Sequence, residues 1–304
     1  MRKLLLVLLV GLLSVASFAT VSFSGSASAG VSVTMNLAGN IALDIPWDGY
    51  FVASSSDSSE NTGFSAYFGK GFDAASFYIW QYLYKTDPLS VWYKLGTLSW
   101  GTEYVNNAGA AMGLLFDMVS GDLTDSLGVY AYFPAATSVD LDVYNHLEFL
   151  YFTIDVAAVG IVSAGAGSFP DIGADVTIDL GEALGLPEGS SLNAFAYFGL
   201  DPSEGDVTSM LSDYQIGASY GYDTVTGSFS FTGPTGVIDA SFETTALDPV
   251  TLGGWVEFPL NLAAFLDIGV GGYIDWTYEL LNNEVYVELD AGVVTAGWEV
   301  TVYY

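Results

Sequence analysis

The chain has 304 residues, 51% of them hydrophobic, and it carries 35 acidic residues but only five basic ones. So few Lys and Arg argue against nucleic acid and anionic lipid headgroups as partners, because both need basic side chains to neutralise phosphate. An aromatic content of 15% argues against an acidic disordered protein, and the lack of cysteine excludes a disulfide framework.

The first element is a short basic and then apolar N-terminal segment. A basic pair at positions 2–3 precedes an apolar run over residues 4–13 and a small-residue cleavage site that ends at Ala19. The run is too short to span a membrane, since a spanning helix needs about 20 apolar residues. We therefore predict a secretory signal peptide over residues 1–19, with cleavage at Ala29 as the alternative. Residues 20–304 are predicted to form a single domain, because no shift in composition marks a second one.

Residues 21–37, VSFSGSASAGVSVTMNL, alternate strictly along their whole length. Every odd position is apolar or small, and every even position is Ser, Gly, Thr or Asn. Strict alternation predicts a strand with two unlike faces, whereas the Ser/Gly/Ala composition by itself would also suit a flexible linker. We take the strand as the main prediction and the linker as the alternative.

Several later segments also show strand or turn patterns. Residues 139–148 and 171–180 alternate between apolar side chains on one face and mostly acidic or polar ones on the other, which predicts two more strands. Residues 74–85 alternate in aromatic side chains, so we predict that Tyr78, Trp80, Tyr82 and Tyr84 share one face. Residues 180–186 are predicted to form one helical turn inside a loop.

The C-terminal residues predict an antiparallel meander. The apolar face occupies even positions over residues 274–280, odd positions over 285–291 and even positions again over 294–304. A two-residue hairpin loop pairs residue i with i+3 and therefore inverts this parity. The two inversions coincide with turn residues, so we predict turns at Asn282-Asn283 and Gly292-Val293.

The chain is both strongly acidic and strongly hydrophobic, yet its sequence after the signal peptide contains no apolar run long enough for a spanning helix. A lipid-facing band explains the apolar face of each strand, and a water-filled lumen explains the acidic face. We therefore predict an all-β fold, a transmembrane antiparallel β-barrel over residues 20–304. At roughly 16 to 18 residues per strand and connection, the chain would form about 16 strands, with 12 to 18 as the acceptable range. Residues 21–37 would be the first barrel strand, with the small residues of its apolar face covered by a neighbouring subunit.

The chain resembles outer-membrane porins in three features. Its last strand ends on an aromatic residue and alternates in hydrophobics, which resembles the insertion signal of outer-membrane barrels (Trp298, Val300, Val302 and Tyr304). Aromatic residues lie near predicted strand ends, as the girdles of such barrels require (Tyr50, Phe51, Tyr84, Trp92, Trp100, Trp276 and Tyr303). Residues 94–101, KLGTLSWG, are similar to the Gly-x-Leu-x-x-Gly strands of general-diffusion porins. The resemblance implies a location in the outer membrane of a two-membrane bacterium.

The charge distribution refines this resemblance. Porins usually line their constriction with an arginine ladder, but this chain has no arginine after residue 19 and no Lys or Arg after Lys94. Such extreme acidity is similar to the outer-sheath, or toga, β-barrel proteins of Thermotogae. Unpaired carboxylates in an aqueous lumen would enrich cations and repel anions.

Three sets of site residues follow from the pattern and from the porin resemblance. The candidates for pore lining and cation attraction are Asp140, Asp142, Asp171, Asp175, Asp179, Glu288 and Asp290. Porins usually fold a constriction loop into the barrel, and a candidate for it contains Asp117, Asp122 and Asp125. A weak calcium site could be formed by Asp201, Glu204 and Asp206, although a solvated acidic turn explains these residues more simply.

Catalysis is poorly supported by the sequence. His146 is the single histidine, there is no thiol, and no nucleophile-elbow motif is present. The dinucleotide and phosphate-loop glycine patterns are also missing. We expect no enzyme activity and no cofactor, with Ca²⁺ or Mg²⁺ at most bound non-specifically.

The leading functional hypothesis is a porin-like outer-membrane channel for the passive diffusion of small solutes and ions, with a preference for cations. Its expected partners are outer-membrane lipid, small solutes, cations and further copies of the chain in a homotrimer, and not nucleic acid. The alternative is a structural outer-membrane or sheath protein, similar to an S-layer protein, with no significant transport role. Another alternative is a soluble acidic sheath component built from β-sandwiches.

Overall fold

The computed structural model describes residues 22–36, 38–57, 62–69, 75–135, 138–162, 170–201, 211–260 and 268–303. The predicted signal peptide lies outside the described residues, as do Lys70, Glu204, Asp206 and Tyr304. Within the described ranges, no helix is long and apolar enough to cross a membrane.

The described residues form nineteen strands and one short helix. In chain order these are β1 (Ser22–Met35), β2 (Ile41–Asp44), β3 (Trp47–Asp57), β4 (Thr62–Phe68), β5 (Ala75–Thr86), β6 (Leu89–Gly101), β7 (Asn106–Ser120), β8 (Leu123–Ala135), β9 (Ser138–Phe149), β10 (Phe152–Val159), β11 (Asp171–Asp179), α1 (Leu180–Leu184), β12 (Ser190–Leu200), β13 (Leu211–Tyr222), β14 (Val225–Thr232), β15 (Val237–Leu247), β16 (Val250–Pro259), β17 (Gly269–Tyr278), β18 (Leu281–Asp290) and β19 (Val293–Tyr303).

The strands close into an antiparallel barrel. From β3 to β19 each strand pairs with its neighbours in the chain, and β19 pairs with β1 from Ser26↔Tyr303 to Met35↔Val294. The other edge of β1 pairs with two strands, the short β2 along residues 32–35 and the longer β3 along residues 22–29. β3 continues the ring to β4, whereas β2 does not, so eighteen of the nineteen strands form the ring. Closure leaves no free sheet edge in this ring. The predicted all-β antiparallel barrel is thus confirmed, and the strand number lies above the predicted 16, at the upper limit of the range.

Most strands that were predicted from alternation are present. Residues 22–35 form the long strand β1, so the linker alternative for this segment is wrong. The segments around residues 139–148 and 171–180 are β9 and β11. The predicted helical turn is α1, where the Asp179 carboxylate accepts a hydrogen bond from the backbone N–H of Glu182 and Gly185 ends the helix in the left-handed conformation.

The C-terminal meander is present, but both turns lie before their predicted positions. The parity inversions are correct, because both connections have two residues, but the second turn lies at Ala291-Gly292, one residue before the predicted Gly292-Val293. The first turn lies at Glu279-Leu280, three residues before Asn282-Asn283. The neighbouring strand explains the difference, since Val250 at the start of β16 pairs with Trp276. A turn at 282–283 would extend the hairpin beyond the rim that the β15–β16 turn defines.

The pairing register assigns every side chain to one of two barrel faces, because directly opposed residues share a face. One face carries exposed apolar side chains, as at Val31, Ile274 and Val285. The other face carries the carboxylates. The loop at residues 102–105 approaches this second face on both β11 and β14, which are separated by two strands of the ring. This loop joins β6 to β7, and β14 lies eight strands away from β6 around the ring. A short loop can bridge that distance only through the interior, because neighbouring strands are about 4.8 Å apart, so the acidic face is the interior.

A bulge moves one aromatic residue to the outer face. Tyr78, Trp80 and Tyr82 lie on the inner face, opposite Gly96, Lys94 and Trp92 of β6. The register then shifts between Tyr82 and Tyr84, and Tyr84 lies on the outer face. The prediction that all four aromatics of this strand share a face is therefore wrong at Tyr84, because a bulge adds one unpaired residue and inverts the alternation.

Candidate functional site

All seven predicted lining carboxylates lie on the inner face of the barrel. The register places Asp140 and Asp142 on β9, Asp171, Asp175 and Asp179 on β11, and Glu288 and Asp290 on β18. They differ in what they contact. Asp179 caps α1, and Asp142 has no exposed surface at all, so part of the set holds the structure together.

A hairpin tip leaves the barrel wall between β6 and β7. β5 pairs with β6 only as far as Gly96, and β8 pairs with β7 only from Ala111 onward. Among the residues that the structure describes, 97–101 and 106–110 therefore pair only with one another. We call residues 97–110 the β6–β7 tip. Gly96, where the tip leaves the wall, has a φ of +140°, and a Cβ there would lie 2.7 Å from the Cα of Tyr78. Glycine permits both the positive φ and this close approach.

Asp142 anchors the β6–β7 tip against the inner wall. Its Oδ2 accepts hydrogen bonds from Nε1 of Trp100 at 3.1 Å and from Nδ2 of Asn107 at 3.0 Å. Its Oδ1 accepts one from the backbone N–H of Gly160 at 2.7 Å. Trp100 also stacks on Tyr130 with a centroid distance of 4.5 Å and an interplanar angle of 4°. Because hydrogen bonds to a charged acceptor are stronger than neutral ones, this buried carboxylate fixes both strands of the tip.

The end of the tip extends into the interior toward the far wall. The backbone N–H of Glu103 donates to Oδ2 of Asp175 on β11 at 2.7 Å. Tyr104 approaches Thr232 on β14 and the carboxylate of Asp213 on β13. β14 lies eight strands away from β6 in a ring of eighteen. The tip therefore crosses the barrel interior and narrows it.

Comparisons with known proteins agree with this geometry. An engineered double variant of a porin from Rh. blastica matches 94% of this chain and 100% of its own, with a TM-score of 0.54 and 12% sequence identity. A triple variant of the Rhodopseudomonas blastica porin gives a TM-score of 0.54 at 11% identity, and a structure described as "Asymmetric conductivity of engineered proteins" gives 0.55 at 10%, both with the same coverage. The chain has a porin-like fold. No family model and no curated protein sequence matches it.

The prediction that residues 117–125 form a constriction loop is wrong. Residues 117–125 belong to β7 and β8 and to the two-residue turn Gly121-Asp122 between them. Asp117 faces inward and accepts from Nε1 of Trp92 and from Oγ of Ser126, both at 2.5 Å. Asp125 faces outward, where it accepts from Nδ2 of Asn145 at 2.6 Å. The segment that folds inward is the β6–β7 tip, and the glycines Gly96, Gly101 and Gly109 around it were the available sequence signal.

The tip packs against the inner wall through aromatic and apolar side chains. Leu98, Trp100, Ala111 and Tyr130 form a buried cluster, with Tyr78, Tyr132 and Tyr144 against it. Of the predicted girdle aromatics, Trp92 and Trp100 belong to the interior, because their indole N–H groups donate to Asp117 and Asp142. The register also places Tyr50 and Tyr303 on the inner face, where both oppose Ser26 of β1.

His146 lies at the edge of this packed region. Its Nδ1 is 2.7 Å from Oδ1 of Asp155, which also accepts from the Tyr144 hydroxyl, and its Nε2 is 3.3 Å from Oε1 of Glu148. Ser126 is directly opposite His146 on β8, but its hydroxyl donates to Asp117 instead. A Ser–His–Asp triad needs the serine on the free imidazole nitrogen, and here that nitrogen faces Glu148.

Beyond β14, the inner wall carries carboxylates on five consecutive strands. We call this set the acidic wall: Asp239, Glu243, Glu257, Asp275, Glu284, Glu288, Asp290 and Glu299. Three of its pairs are direct cross-strand neighbours, namely Asp239↔Glu257, Asp275↔Glu284 and Glu284↔Glu299. Only Glu288 and Asp290 of this set were predicted from the sequence, although the parity of the C-terminal meander also indicated the inner-face carboxylates of β17 and β19.

The row Asp275–Glu284–Glu299 gives a testable stability effect. Like charges that face each other directly across a sheet are destabilising. Changing Glu284→Gln removes both like-charge contacts of the central residue, and we expect it to raise the free energy of unfolding by about 1 kcal/mol. Urea unfolding in detergent micelles, followed by tryptophan fluorescence, measures this.

Glu288→Gln is the matched control for this prediction. Glu288 lies on the same strand and face, but its direct neighbours are Gly271 and Thr295. We expect a smaller gain in stability there. Equal gains in both variants would show that overall net charge, and not the cross-strand row, is responsible.

Two predicted sites remain, the C-terminal insertion signal and the weak calcium site. Trp298, Val300 and Val302 lie on the outer face of β19, opposite Val31, Ala29 and Ala27 of β1. Of the weak calcium site, only Asp201 belongs to the described residues, directly after β12. Among the described residues, no group of three or more His, Cys, Asp or Glu is placed to hold a metal ion.

Proposed function

We propose that the protein is an outer-membrane channel for the passive diffusion of small solutes and ions, with a preference for cations. The observation that carries this proposal is the acidic wall, which occupies the inner face of five adjacent strands in a chain without any Lys or Arg after Lys94. Carboxylates that line a confined aqueous path create a negative potential, and this potential raises the local concentration of cations.

The two described lysines leave this potential largely uncompensated. Nζ of Lys94 lies 4.6 Å from the ring centroid of Trp92, and Nζ of Lys85 lies 4.8 Å from that of Tyr82. Lys85 is on β5 and Lys94 is on β6, so neither lies on the strands β15–β19 that carry the acidic wall. The apolar outer face supports a location in a lipid bilayer, and the porin-like fold supports the outer membrane of a two-membrane bacterium.

Planar-bilayer recording tests the proposal. We expect stepwise conductance when the purified barrel is added, and a reversal potential under a KCl gradient that is shifted toward the potassium equilibrium potential. Heat-unfolded protein in the same detergent is the control. A reversal potential near zero or of anionic sign would contradict the cation preference, and a lack of steps at high protein density would contradict the channel.

A structural role in a dense outer-membrane or sheath layer is the second candidate. It is favoured by the small outer-face residues of β1, where Ala27 and Ala29 face Gly49 and Trp47 of β3. Small side chains fill lipid contacts less well than large ones, and they allow a second protein surface to approach closely. The same face supports the proposed homotrimer.

A further inference from the structure

Three aromatic side chains lie within the acidic wall. Trp255 on β16, Tyr273 on β17 and Tyr286 on β18 all belong to the inner face, and Tyr273 and Tyr286 are direct cross-strand neighbours. The aromatic pair is flanked by carboxylates along its own strands. Glu284 and Glu288 lie two positions before and after Tyr286, and Asp275 follows two positions after Tyr273.

The three rings lie along the wall because glycines on neighbouring strands make room for them. A Cβ on Gly297 would be 2.5 Å from Cζ of Tyr286, and a Cβ on Gly271 would be 2.5 Å from Nε1 of Trp255. Tyr273 covers Gly253 in the same way. A ring that lies across a glycine on the wall presents its other face to the interior. The faces of these rings are therefore available to a ligand in the lumen.

Tyr273 and Tyr286 lean away from each other. Gly253, beneath Tyr273, is on β16, whereas Gly297, beneath Tyr286, is on β19. The hydroxyl of Tyr273 donates to Oε2 of Glu243 at 2.5 Å, which holds this ring in place. A cavity of about 410 Å³ remains, and its lining includes Trp255, Tyr273, Tyr286, Glu284, Glu288 and Glu299.

We propose that this cavity binds organic cations, that is, ammonium or guanidinium groups with apolar substituents. The face of an aromatic ring attracts a cation through its quadrupole, and aromatic cages recognise quaternary ammonium groups in this way. The three carboxylates add charge complementarity, while the rings contact apolar substituents that a hydrated alkali ion lacks. A volume of about 410 Å³ falls within the usual range of small-molecule sites.

This inference deepens the proposed channel function, because it names the class of cation that the acidic wall would retain. It also distinguishes the aromatic cavity from the rest of the wall. Asp239 and Glu257, which oppose each other on β15 and β16, lie outside the lining of this cavity and would attract any cation. The rings supply the preference for organic over inorganic cations.

Calorimetric titration of the detergent-solubilised barrel tests the cavity without any current. The probes are choline, its neutral isostere 3,3-dimethylbutan-1-ol, and KCl at equal ionic strength. We expect choline to bind about fivefold or more tightly than either of the other two. Equal affinity for the neutral isostere would overturn the proposal, because an apolar pocket would then explain the binding.

Two variants locate the site. Tyr286→Leu removes one ring, and Gly297→Ala keeps the ring but displaces it, so each should weaken choline binding by about fivefold. Tyr222→Leu, which removes an exposed outer-face ring on β13, is the control and should bind as the native chain does. Unchanged affinity in both cavity variants, with the heat-modifiable gel migration of a folded barrel, would overturn the proposal.

The channel proposal and the cavity proposal can be contradicted independently of each other by these experiments. Choline binding without conductance supports the cavity and contradicts only the channel. Conductance with cation preference, but with no advantage of choline over potassium, supports the channel and overturns the cavity.

Discussion

Replacing Asp142 by alanine is expected to release the β6–β7 tip and to raise the single-channel conductance several-fold. The substitution removes the carboxylate that accepts from Nε1 of Trp100 and Nδ2 of Asn107, the two side chains that hold the tip to the wall. A buried donor without a partner costs about 1–3 kcal/mol, and both of these donors belong to the tip, so docking of the tip should weaken by about 2 kcal/mol or more. A released tip would no longer narrow the interior.

Two measurements check this prediction. Bilayer recording gives the conductance, and hydrogen exchange over residues 97–110 reports whether the tip opens. Asp142→Asn keeps the shape and one oxygen acceptor, so we expect an intermediate effect. Asp140→Ala, on the same face of β9, is the matched control and should leave both measurements close to native values. Native conductance together with rapid exchange of the tip in Asp142→Ala would show that the tip does not limit the current.

Neutralising part of the acidic wall is expected to remove most of the cation preference. The triple variant Glu284→Gln, Glu288→Gln and Glu299→Gln changes three inner-face carboxylates on β18 and β19. Salt screens charges beyond about 8–10 Å at physiological ionic strength, so only carboxylates close to the permeation path contribute strongly. The ratio of potassium to chloride permeability, obtained from reversal potentials, should fall several-fold.

A variant with the same change in net charge provides the control. Asp87→Asn, Asp122→Asn and Asp223→Asn neutralise three carboxylates in two-residue turns between strands. These residues lie at the barrel rim, where bulk solvent screens them, and we expect the permeability ratio to stay close to that of the native chain. Equal losses in the two triple variants would mean that total charge governs selectivity and that the acidic wall has no special part in it.

The alternation of side chains predicted the barrel because it reflects a local property. A strand of period two presents one face to lipid and one to water, whatever its partners are. For this reason the strand at residues 22–35, the strand at 171–179 and the inner-face position of Glu288 could all be predicted before any pairing was known. The same local rule gave the parity of the C-terminal meander.

The alternation of side chains could not predict the bulge on β5 or the exact positions of the turns. Tyr84 moved to the outer face because the register shifts by one residue on β5, and no pattern within the strand marks that shift. The turn before β18 lies at Glu279-Leu280 although Asn282-Asn283 has the more typical turn residues, since the level of the rim is set by β16. Both outcomes depend on the neighbouring strand.

The sequence by itself determined the class of fold, the inner face of clearly alternating strands such as β1, β9 and β11, and the sign of the charge within the barrel, because these follow from alternation and composition. The tertiary structure alone decided which hairpin turns inward, which carboxylates become buried anchors and which remain on the acidic wall. Asp142 and Glu288 have the same local pattern, yet one is enclosed by the β6–β7 tip and the other lines a cavity beside Tyr286. The physical reason is that ring closure brings together strands far apart in the chain, and only these long-range contacts determine which inner-face groups lose their water.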